Sequence, residues 1–184
     1  PLTNRRKTGL LPPTLEYNQK NGSSYTLPIY LNIAPNYDAT ITPGRDVERG
    51  QIYEAKFRYM PFRNFRGEIK GVYLPDDPKW SPLNGDHKRW LFNLRNDVNF
   101  FKGDLNFHVD FSKVRNDDVT FMSDISEKSA AITDTSLLQQ FRTTYSRDNF
   151  DTSLEFRKYQ QMYSSAATWT VFRPFAILPQ VKFN

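Results

Sequence analysis

The sequence predicts an all-β fold of antiparallel strands that follow one another up and down. Apolar and polar residues alternate with a period of two over long stretches, and turn-forming residues separate these stretches. The composition agrees, since 15% of the 184 residues are aromatic while only 38% are hydrophobic. That balance is typical of strands with one apolar face and one polar face.

Six segments carry the clearest alternation. In residues 51–60, aromatic residues and Ala55 share one face, and Glu54, Lys56 and Arg58 share the other. The same pattern predicts strands at 65–74, 89–99, 105–111, 137–146 and 150–157. Weaker patterns predict strands at 8–17, 24–34, 37–43 and 169–183, so the total is about ten. The one helical pattern is a single turn within 117–127.

The connections between these strands alternate in length. The odd-numbered ones are longer, at 18–23, 44–50, 75–88, 115–134 and 164–168. The even-numbered ones are tight, at Pro35-Asn36, 61–64, 100–102 and Asp148-Asn149. Outer-membrane barrels have short periplasmic turns and long external loops, whereas a soluble meander has no reason for one-sided loop lengths. The alternation of short and long connections therefore favours a transmembrane β-barrel over a soluble sheet. It also predicts that Pro35 and Asn36 form a periplasmic turn.

Charge and composition exclude several classes of protein. Lys plus Arg number 25 and Asp plus Glu 20, and the charges are mixed along the chain, so no nucleic-acid partner is predicted. The absence of cysteine excludes an internal disulfide framework. No apolar run approaches the ~20 residues of a membrane helix. Since the chain opens without Met or an apolar leader and stops in a strand-like pattern, we expect it to be part of something longer.

Few residues suggest chemistry. His87 and His108 lie far apart with no HExxH pattern, so neither a metal site nor a cofactor is predicted. The carboxylate pairs at 76–77 and 117–118 fall in predicted external loops, where they either bind a divalent cation or are solvated. No phosphate-binding glycine loop and no GxSxG motif occurs, so we do not predict an enzyme.

Prolines and cations are the residues that remain to be explained. Pro13 and Pro28 fall within the first two predicted strands and Pro43 ends the third. Because proline lacks an N–H, Pro13 and Pro28 mark either bulges at an edge or a weakly paired seam. The polar faces carry cations that either line a lumen and meet phosphorylated sugar or pair with neighbouring acids. These cations are Lys56, Arg58, Arg66, Lys70 and Arg95.

Several segments together resemble one family. They are RRKTG at 5–9, LPIY at 27–30, NIAPNYDATITP at 32–43, LPDD at 74–77 and RW at 89–90. The chain resembles, over essentially its whole length, the lipopolysaccharide-assembly outer-membrane proteins, which are the barrel component D of the lipopolysaccharide (LPS) transport machinery. The likeness is densest in residues 5–43.

The resemblance implies a role in transport in the bacterial outer membrane. The family inserts LPS into the outer leaflet and releases it through a lateral gate between the first and last barrel strands. Residue by residue, the gate prolines of the family fall on Pro13 and Pro28. The implied partners are LPS, a plug lipoprotein (component E), a periplasmic LPS bridge protein and the barrel-assembly machinery.

The chain also departs from the family pattern. The family's barrel has many more than ten strands. The periplasmic jelly-roll domain, the final gate strand and the family's cysteines are missing from this chain. We therefore expect residues 1–184 to be the N-terminal portion of an outer-membrane β-barrel domain. Two alternatives remain open: a small, complete, porin-like barrel, and a soluble β-sandwich binding module.

Overall fold

A computed structural model of the chain describes residues 6–18, 22–79, 85–115, 136–161 and 177–183. Almost all of them lie in strands, which are β1 (Gly9–Leu10), β2 (Thr14–Asn18), β3 (Gly22–Thr26), β4 (Ile29–Ala34), β5 (Tyr37–Asp46), β6 (Gly50–Phe62), β7 (Phe65–Leu74), β8 (Arg89–Phe100), β9 (Leu105–Val114), β10 (Ser136–Arg147), β11 (Phe150–Gln161) and β12 (Ile177–Phe183). A short 3-10 turn spans Phe101–Gly103. The helical turn predicted within 117–127 lies outside the described residues.

The chain divides into two units. The first comprises Pro1–Pro61 and Glu68–Phe92, and the second Phe62–Gly67 and Asn93–Asn184. The strand order in the first is β1-β4-β5-β6-β7, with β3 also paired to β5 and β2 to β3. In the second unit β9 to β12 pair in sequence, so the up-and-down prediction is confirmed. In the described part of the chain, no helix has the length and apolar character needed to cross a membrane.

Most predicted strands are confirmed with longer bounds. The strand predicted at 65–74 matches β7, while β9 and β11 continue three and four residues beyond the predicted 111 and 157. The last predicted strand, 169–183, is described only from Ile177 onward. The alternating pattern was the correct signal, but it weakens toward the strand ends, where Lys113 and Lys158 take the next positions on the apolar faces of β9 and β11.

The first two predicted strands are wrong in one respect, because each is broken into two. Residues 11–13 separate β1 from β2, and residues 27–28 separate β3 from β4, so the described residues contain twelve strands. Pro13 and Pro28 lie in these breaks and not within strands. Each break occurs where proline removes the N–H that a continuous ladder would need.

The two breaks face each other and also face Pro43. The backbone N–H of Leu11 donates to the carbonyl oxygen of Pro28 at 2.8 Å, and that of Leu27 donates to the oxygen of Pro43 at 3.0 Å. Pro43 lies inside β5, paired with Tyr53 of β6, so the prediction that it ends its strand is wrong. Its ring nitrogen points the same way as its carbonyl, toward the break in the neighbouring strands, where no donor is required.

Two of the connections predicted to be long are short. Only residues 19–21 join β2 to β3, and only residues 47–49 join β5 to β6. In the second case the Asp46 carboxylate accepts the N–H groups of Glu48 and Arg49 at 2.9 and 3.0 Å, and Gly50 adopts φ of +83°. This compact turn lets residues 44–46 continue the ladder. The loop asymmetry therefore depends on the later connections, beginning with residues 75–88.

The apolar face of the sheet is exposed. In the first unit, Leu15 is 82% and Tyr17 is 77% exposed, and Leu10, Ile33 and Ile41 on the same face are exposed as well. The register confirms this common face, since Leu15 pairs with Tyr25 and Leu10 with Ile29. A soluble β-sandwich would bury these residues under a second sheet. An uncovered apolar face is the pattern of strands that meet lipid.

Candidate functional site on the polar face

The polar face of the first unit contains a cluster around Asp38. Asp38 of β5 pairs directly with Arg58 of β6, which places both side chains on one face. Arg58 donates through Nε to Oδ1 and through Nη2 to Oδ2, each at 2.7 Å. The Arg6 guanidinium and the Tyr30 hydroxyl both donate to Oδ2 at 3.2 Å. One buried carboxylate therefore holds two cations, and the Arg58 contact is bidentate.

A second cluster lies beside the first and shares β6 with it. Lys56 Nζ lies 3.0 Å from Glu68 Oε2, and Lys70 Nζ lies 3.0 Å from Glu68 Oε1. Lys56 and Arg58 are two residues apart on one strand and so point to the same side, about 7 Å apart. The two clusters thus form a continuous charged patch, which we call the Asp38–Glu68 patch: Arg6, Asp38, Lys56, Arg58, Glu68 and Lys70.

The polar face of the second unit carries its own ion pairs. Arg66 Nε lies 3.6 Å from Asp97 Oδ2, and His108 Nδ1 lies 2.7 Å from Asp97 Oδ1. Arg95 Nη2 contacts Asp110 Oδ2 at 3.2 Å. These pairs join strands that are neighbours in the sheet, so each one also links two strands.

Glu155 forms the last cluster of the second unit. Arg157 forms an ion pair with Glu155, and Arg142 Nη2 lies 3.4 Å from its Oε2. Gln140 donates an amide hydrogen to Oε1 at 2.7 Å. Gln140 pairs with Arg157 and Arg142 with Glu155 across the β10–β11 ladder, which explains how four polar side chains meet.

All five cations predicted from the sequence as lumen-facing are paired with carboxylates. Lys56 and Lys70 meet Glu68, Arg58 meets Asp38, Arg66 meets Asp97 and Arg95 meets Asp110. Of the two roles that the sequence left open, pairing with neighbouring acids is therefore observed. The role in contacting LPS stays a prediction.

Arg6 is a site residue that the alternation pattern did not reveal. It lies before β1, and its backbone oxygen accepts a hydrogen bond from Asn32 Nδ2 at 3.0 Å, while Thr8 Oγ1 accepts the Asn32 N–H at 2.9 Å. These bonds hold residues 6–8 against β4 and bring the Arg6 side chain to Asp38. Only the basic run at 5–7 marked the region, and it gave no partner.

A buried ion cluster at the long-connection end was also missed. Asp77 is fully buried; its Oδ2 accepts a hydrogen bond from Arg49 Nη1 at 2.6 Å, and Arg89 Nη1 lies 3.6 Å away. Its Oδ1 accepts the backbone N–H of Lys79 at 3.1 Å. Asp77 therefore fixes the start of the 75–88 connection and is not available for a divalent cation. The neighbouring Asp76 is exposed.

The tight turns are joined to the next strand by a repeated arrangement. Asn36, in the predicted turn Pro35-Asn36, accepts the Met60 N–H at 2.9 Å and donates its side-chain amide to the Met60 oxygen at 3.1 Å. Asn64 makes the same pair of bonds with Asn99, at 2.8 and 2.6 Å. The side-chain amide replaces a backbone donor, so the ladder continues into the turn.

Aromatic rings cover the opposite face near these turns. Tyr37 and Phe57 stack at 6.3 Å between ring centroids, as do Phe57 and Tyr59 at 5.7 Å. In the second unit a row of rings runs across the strands from Phe100 and Phe107 to Phe141 and Phe156. Aromatic bands of this kind are found where barrel strands leave the membrane.

The fold and its two faces together define the class of protein. The chain consists of antiparallel strands of a transmembrane β-barrel, and these strands are part of a larger barrel. The chain belongs to the family described as "LptD: LPS transport system D", whose profile matches residues 87–184. This is a family of the bacterial outer membrane.

Individual relatives carry the name "LPS-assembly protein LptD". The chain is 36% identical over 184 residues to that of Vibrio vulnificus (strain YJ016), covering 100% of the chain and 22% of the relative. Identity is 35% over 190 residues with that of Aeromonas salmonicida (100% and 23%), and 31% over 192 residues with that of Acinetobacter baylyi (100% and 22%). The chain thus spans less than a quarter of the length of these relatives.

Proposed function

We propose that this chain is the N-terminal portion of the barrel domain of an LPS-assembly protein, which inserts LPS into the outer leaflet of the outer membrane without enzymatic chemistry. The observation that carries the proposal is the pairing of an exposed apolar face with a charged face in a chain of this family. The apolar face meets lipid, and the charged face lines the passage for the sugar part of LPS.

The broken first hairpin supports a lateral gate at this end of the sheet. β1 and β2 have no partner on their outer side among the described strands, and their pairing with β4 and β3 is interrupted at Pro13 and Pro28. Strands this short and interrupted offer the final barrel strand few consecutive backbone groups for pairing, so a seam between them separates more readily than a continuous ladder. In this proposal β1 and β2 form one side of the gate and the final barrel strand forms the other.

The partners follow from the same proposal. LPS reaches the barrel from a periplasmic bridge protein, a plug lipoprotein (component E) occupies the lumen, and the barrel-assembly machinery inserts the strands. Lys56, Arg58, Arg66, Lys70 and Arg95 contribute to a lumen surface that accommodates phosphorylated sugar. Pro35-Asn36 and the other tight turns face the periplasm.

A cysteine crosslink in the full-length protein tests the gate. One cysteine replaces Thr14 in β2 and the other is placed in the final barrel strand; oxidation is expected to stop delivery of LPS to the cell surface, and a reductant to restore it. The control pair is T144C/S153C, at positions that face each other in the unbroken β10–β11 ladder. Undiminished delivery in the oxidised gate variant would contradict the proposal.

A proline variant tests the seam separately. The P13A/P28A variant restores two backbone donors, so we expect a tighter seam and slower export, measured as the rate at which newly made LPS appears at the surface. P35A, in a turn and outside the seam, is the matched control. Wild-type export by P13A/P28A would mean that these prolines mark bulges alone.

A small porin-like barrel makes a different prediction. It would conduct ions when this chain alone is reconstituted in a bilayer. As one part of a larger barrel, residues 1–184 alone are expected to give no stable conductance. Recovery of these residues from the soluble fraction without detergent would instead favour the β-sandwich alternative.

A further inference from the structure

We infer that the Asp38–Glu68 patch is an anion-binding site and that its ligand is a phosphate group carried by the transported lipid. This inference deepens the proposed function and rests on it. The patch combines four cations with two carboxylates, which leaves an excess of two positive charges. Glu54, the next carboxylate on this face of β6, lies beyond Lys56, away from the tight turn.

Burial separates the two signs of charge. The Asp38 side chain is only 6% exposed, whereas those of Arg58 and Arg6 are 49% and 65% exposed. Lys56 is likewise more exposed than Glu68, at 42% against 24%. Lys70, at 26%, is about as exposed as Glu68. Three of the four cations therefore lie outside the carboxylates that fix their positions, and the surface that an approaching ligand meets is cationic.

The contacts also leave the cations able to bind a ligand. Arg58 uses its Nε–Nη2 edge for Asp38, so its Nη1 group is not engaged by that carboxylate. Arg6 contacts Asp38 through Nη1 alone. A phosphate group accepts several hydrogen bonds at once, which suits guanidinium edges and ammonium groups held side by side.

The second unit provides a comparison within the same chain. Its ion pairs around Asp97, Asp110 and Glu155 set three arginines and His108 against three carboxylates, with Arg157 as a further partner of Glu155. At Glu155 two arginines meet one carboxylate, whereas Asp97 and Asp110 each have one arginine, so such an excess forms at a single carboxylate there. In the Asp38–Glu68 patch two carboxylates with two cations each lie side by side, and the excess is two.

Position makes the patch a receiving site. Asp38 and Arg58 pair close to the turn Pro35-Asn36, and Glu68 lies close to the following tight turn at 63–64. Tight turns of outer-membrane barrels face the periplasm. A phosphorylated lipid entering from that side meets this patch before the rest of the polar face of the first unit.

The test uses the full-length protein with its plug lipoprotein and a photo-crosslinking residue, Thr40→p-benzoylphenylalanine. Thr40 pairs with Lys56, on the face of the patch. The variant is R6Q/K56Q, which removes the charge excess but leaves Asp38 with Arg58 and Glu68 with Lys70. The matched control is R142Q/R147Q, which also removes two cations and leaves Glu155 with Arg157. The probes are LPS, chemically dephosphorylated LPS and inorganic phosphate.

We expect R6Q/K56Q to lower crosslinking to LPS about tenfold, the loss that follows when charge-assisted hydrogen bonds are removed. Crosslinking to dephosphorylated LPS should already be weak in the wild type and should not fall further in the variant. R142Q/R147Q should crosslink LPS as the wild type does. Inorganic phosphate should compete more strongly than chloride at the same ionic strength.

Three results would overturn the inference. The first is equal wild-type crosslinking of LPS and dephosphorylated LPS, and the second is an equal loss in R6Q/K56Q and R142Q/R147Q. The third is strong competition by inorganic phosphate with no dependence on LPS phosphorylation, which would indicate a site for the free ion. Delivery of LPS into vesicles is measured in parallel. If the wild type delivers LPS and any of these three results is obtained, only the inference is contradicted. A wild type that neither delivers nor crosslinks LPS contradicts the proposed function as well.

Discussion

The hairpin at the start of the chain and the hairpin of β10 and β11 are two versions of the same antiparallel arrangement. β10 and β11 form twelve consecutive residue pairs without interruption. The hairpin at the start of the chain has two pairs between β1 and β4 and five between β2 and β3, with a break between them. Both hairpins alternate apolar and polar residues, so the difference comes from the prolines at the break and not from hydrophobic pattern.

Whether a ladder is continuous depends on each residue in it. Every residue of β10 and β11 carries a backbone N–H, and the ladder runs the full length of both strands. In the first hairpin, Pro28 still accepts a hydrogen bond from Leu11, but neither Pro13 nor Pro28 returns one. The register between the two strands changes by one residue across the break, because residues 11–13 on one strand oppose residues 27–28 on the other. β3 and β4 keep one register with β5, so the break is a bulge in the first strand alone.

The largest expected effect comes from copying the break into the continuous hairpin. A T143P substitution places proline in the middle of β10, opposite Leu154, and removes a donor where unsatisfied groups cost several kcal/mol in lipid. We expect the full-length protein to lose its folded form, measured by heat-modifiable migration on detergent gels. T143A is the control, and a folded T143P protein would show that proline alone does not explain the first hairpin.

The next effect concerns what holds the broken hairpin. The Ser23 oxygen of β3 accepts the Val47 N–H at 3.0 Å, and the same turn is fixed through Arg49 to Asp77. D77A leaves two buried guanidinium groups without their shared carboxylate, and we expect a loss of about 3–5 kcal/mol in the free energy of unfolding. Urea unfolding followed by tryptophan fluorescence measures it.

Limited proteolysis localises the D77A effect. Cleavage should increase in β2 and β3 and stay unchanged in β10 and β11. D76A is a matched control, because Asp76 is adjacent and exposed and its contact with His87 is 3.7 Å long. A D76A effect as large as that of D77A would contradict the role given to the buried cluster.

A smaller effect is expected at the tight turns. N36A removes the side-chain amide that donates to Met60, and N64A removes the equivalent donor to Asn99. Each loss should cost about 1 kcal/mol. Unfolding in urea measures both, and we expect similar values for the two variants because the arrangement is the same. N149A, in the turn between β10 and β11, serves as the control.

The smallest effect concerns the row of aromatic rings. Phe107 and Phe141 lie 6.4 Å apart between centroids. A double-mutant cycle with F107L, F141L and the double variant should give a coupling of about 0.5–1 kcal/mol. The corresponding cycle with F107L and F150L is the control, since no such contact joins those rings. A zero coupling for the first pair would mean that the row contributes through burial alone.

The strands were predicted well because apolar and polar residues alternate with a period of two, and this pattern depends only on residues close together in the chain. The sequence predicted Pro35-Asn36 as a turn for the same reason. It failed at the breaks, because the prolines at 12–13 and at 28 are compatible with a bulge inside one strand as well as with the end of a strand. The short turn at 47–49 was missed because it depends on one side chain, Asp46, folding back on the backbone.

The charged contacts were only half predictable. Alternation placed Arg58 on the polar face, but its partner Asp38 lies 20 residues earlier and is identified only when the register is known. Arg6 lies 32 residues from the same carboxylate and outside any strand pattern. Asp77 and Arg49, 28 residues apart, meet through two turns, so their burial as a pair cannot be derived from spacing.

The bonds that join each tight turn to a later strand have a consequence for alignment. Asn36 contacts Met60 only when β5 and β6 are in their observed register, in which Tyr37 faces Tyr59. A slip of one residue would move the Met60 carbonyl out of reach of the Asn36 amide and turn the aromatic residues of β6 toward the charged side. The hydrogen bonds at this turn therefore form only when the whole neighbouring strand pairs in the observed register.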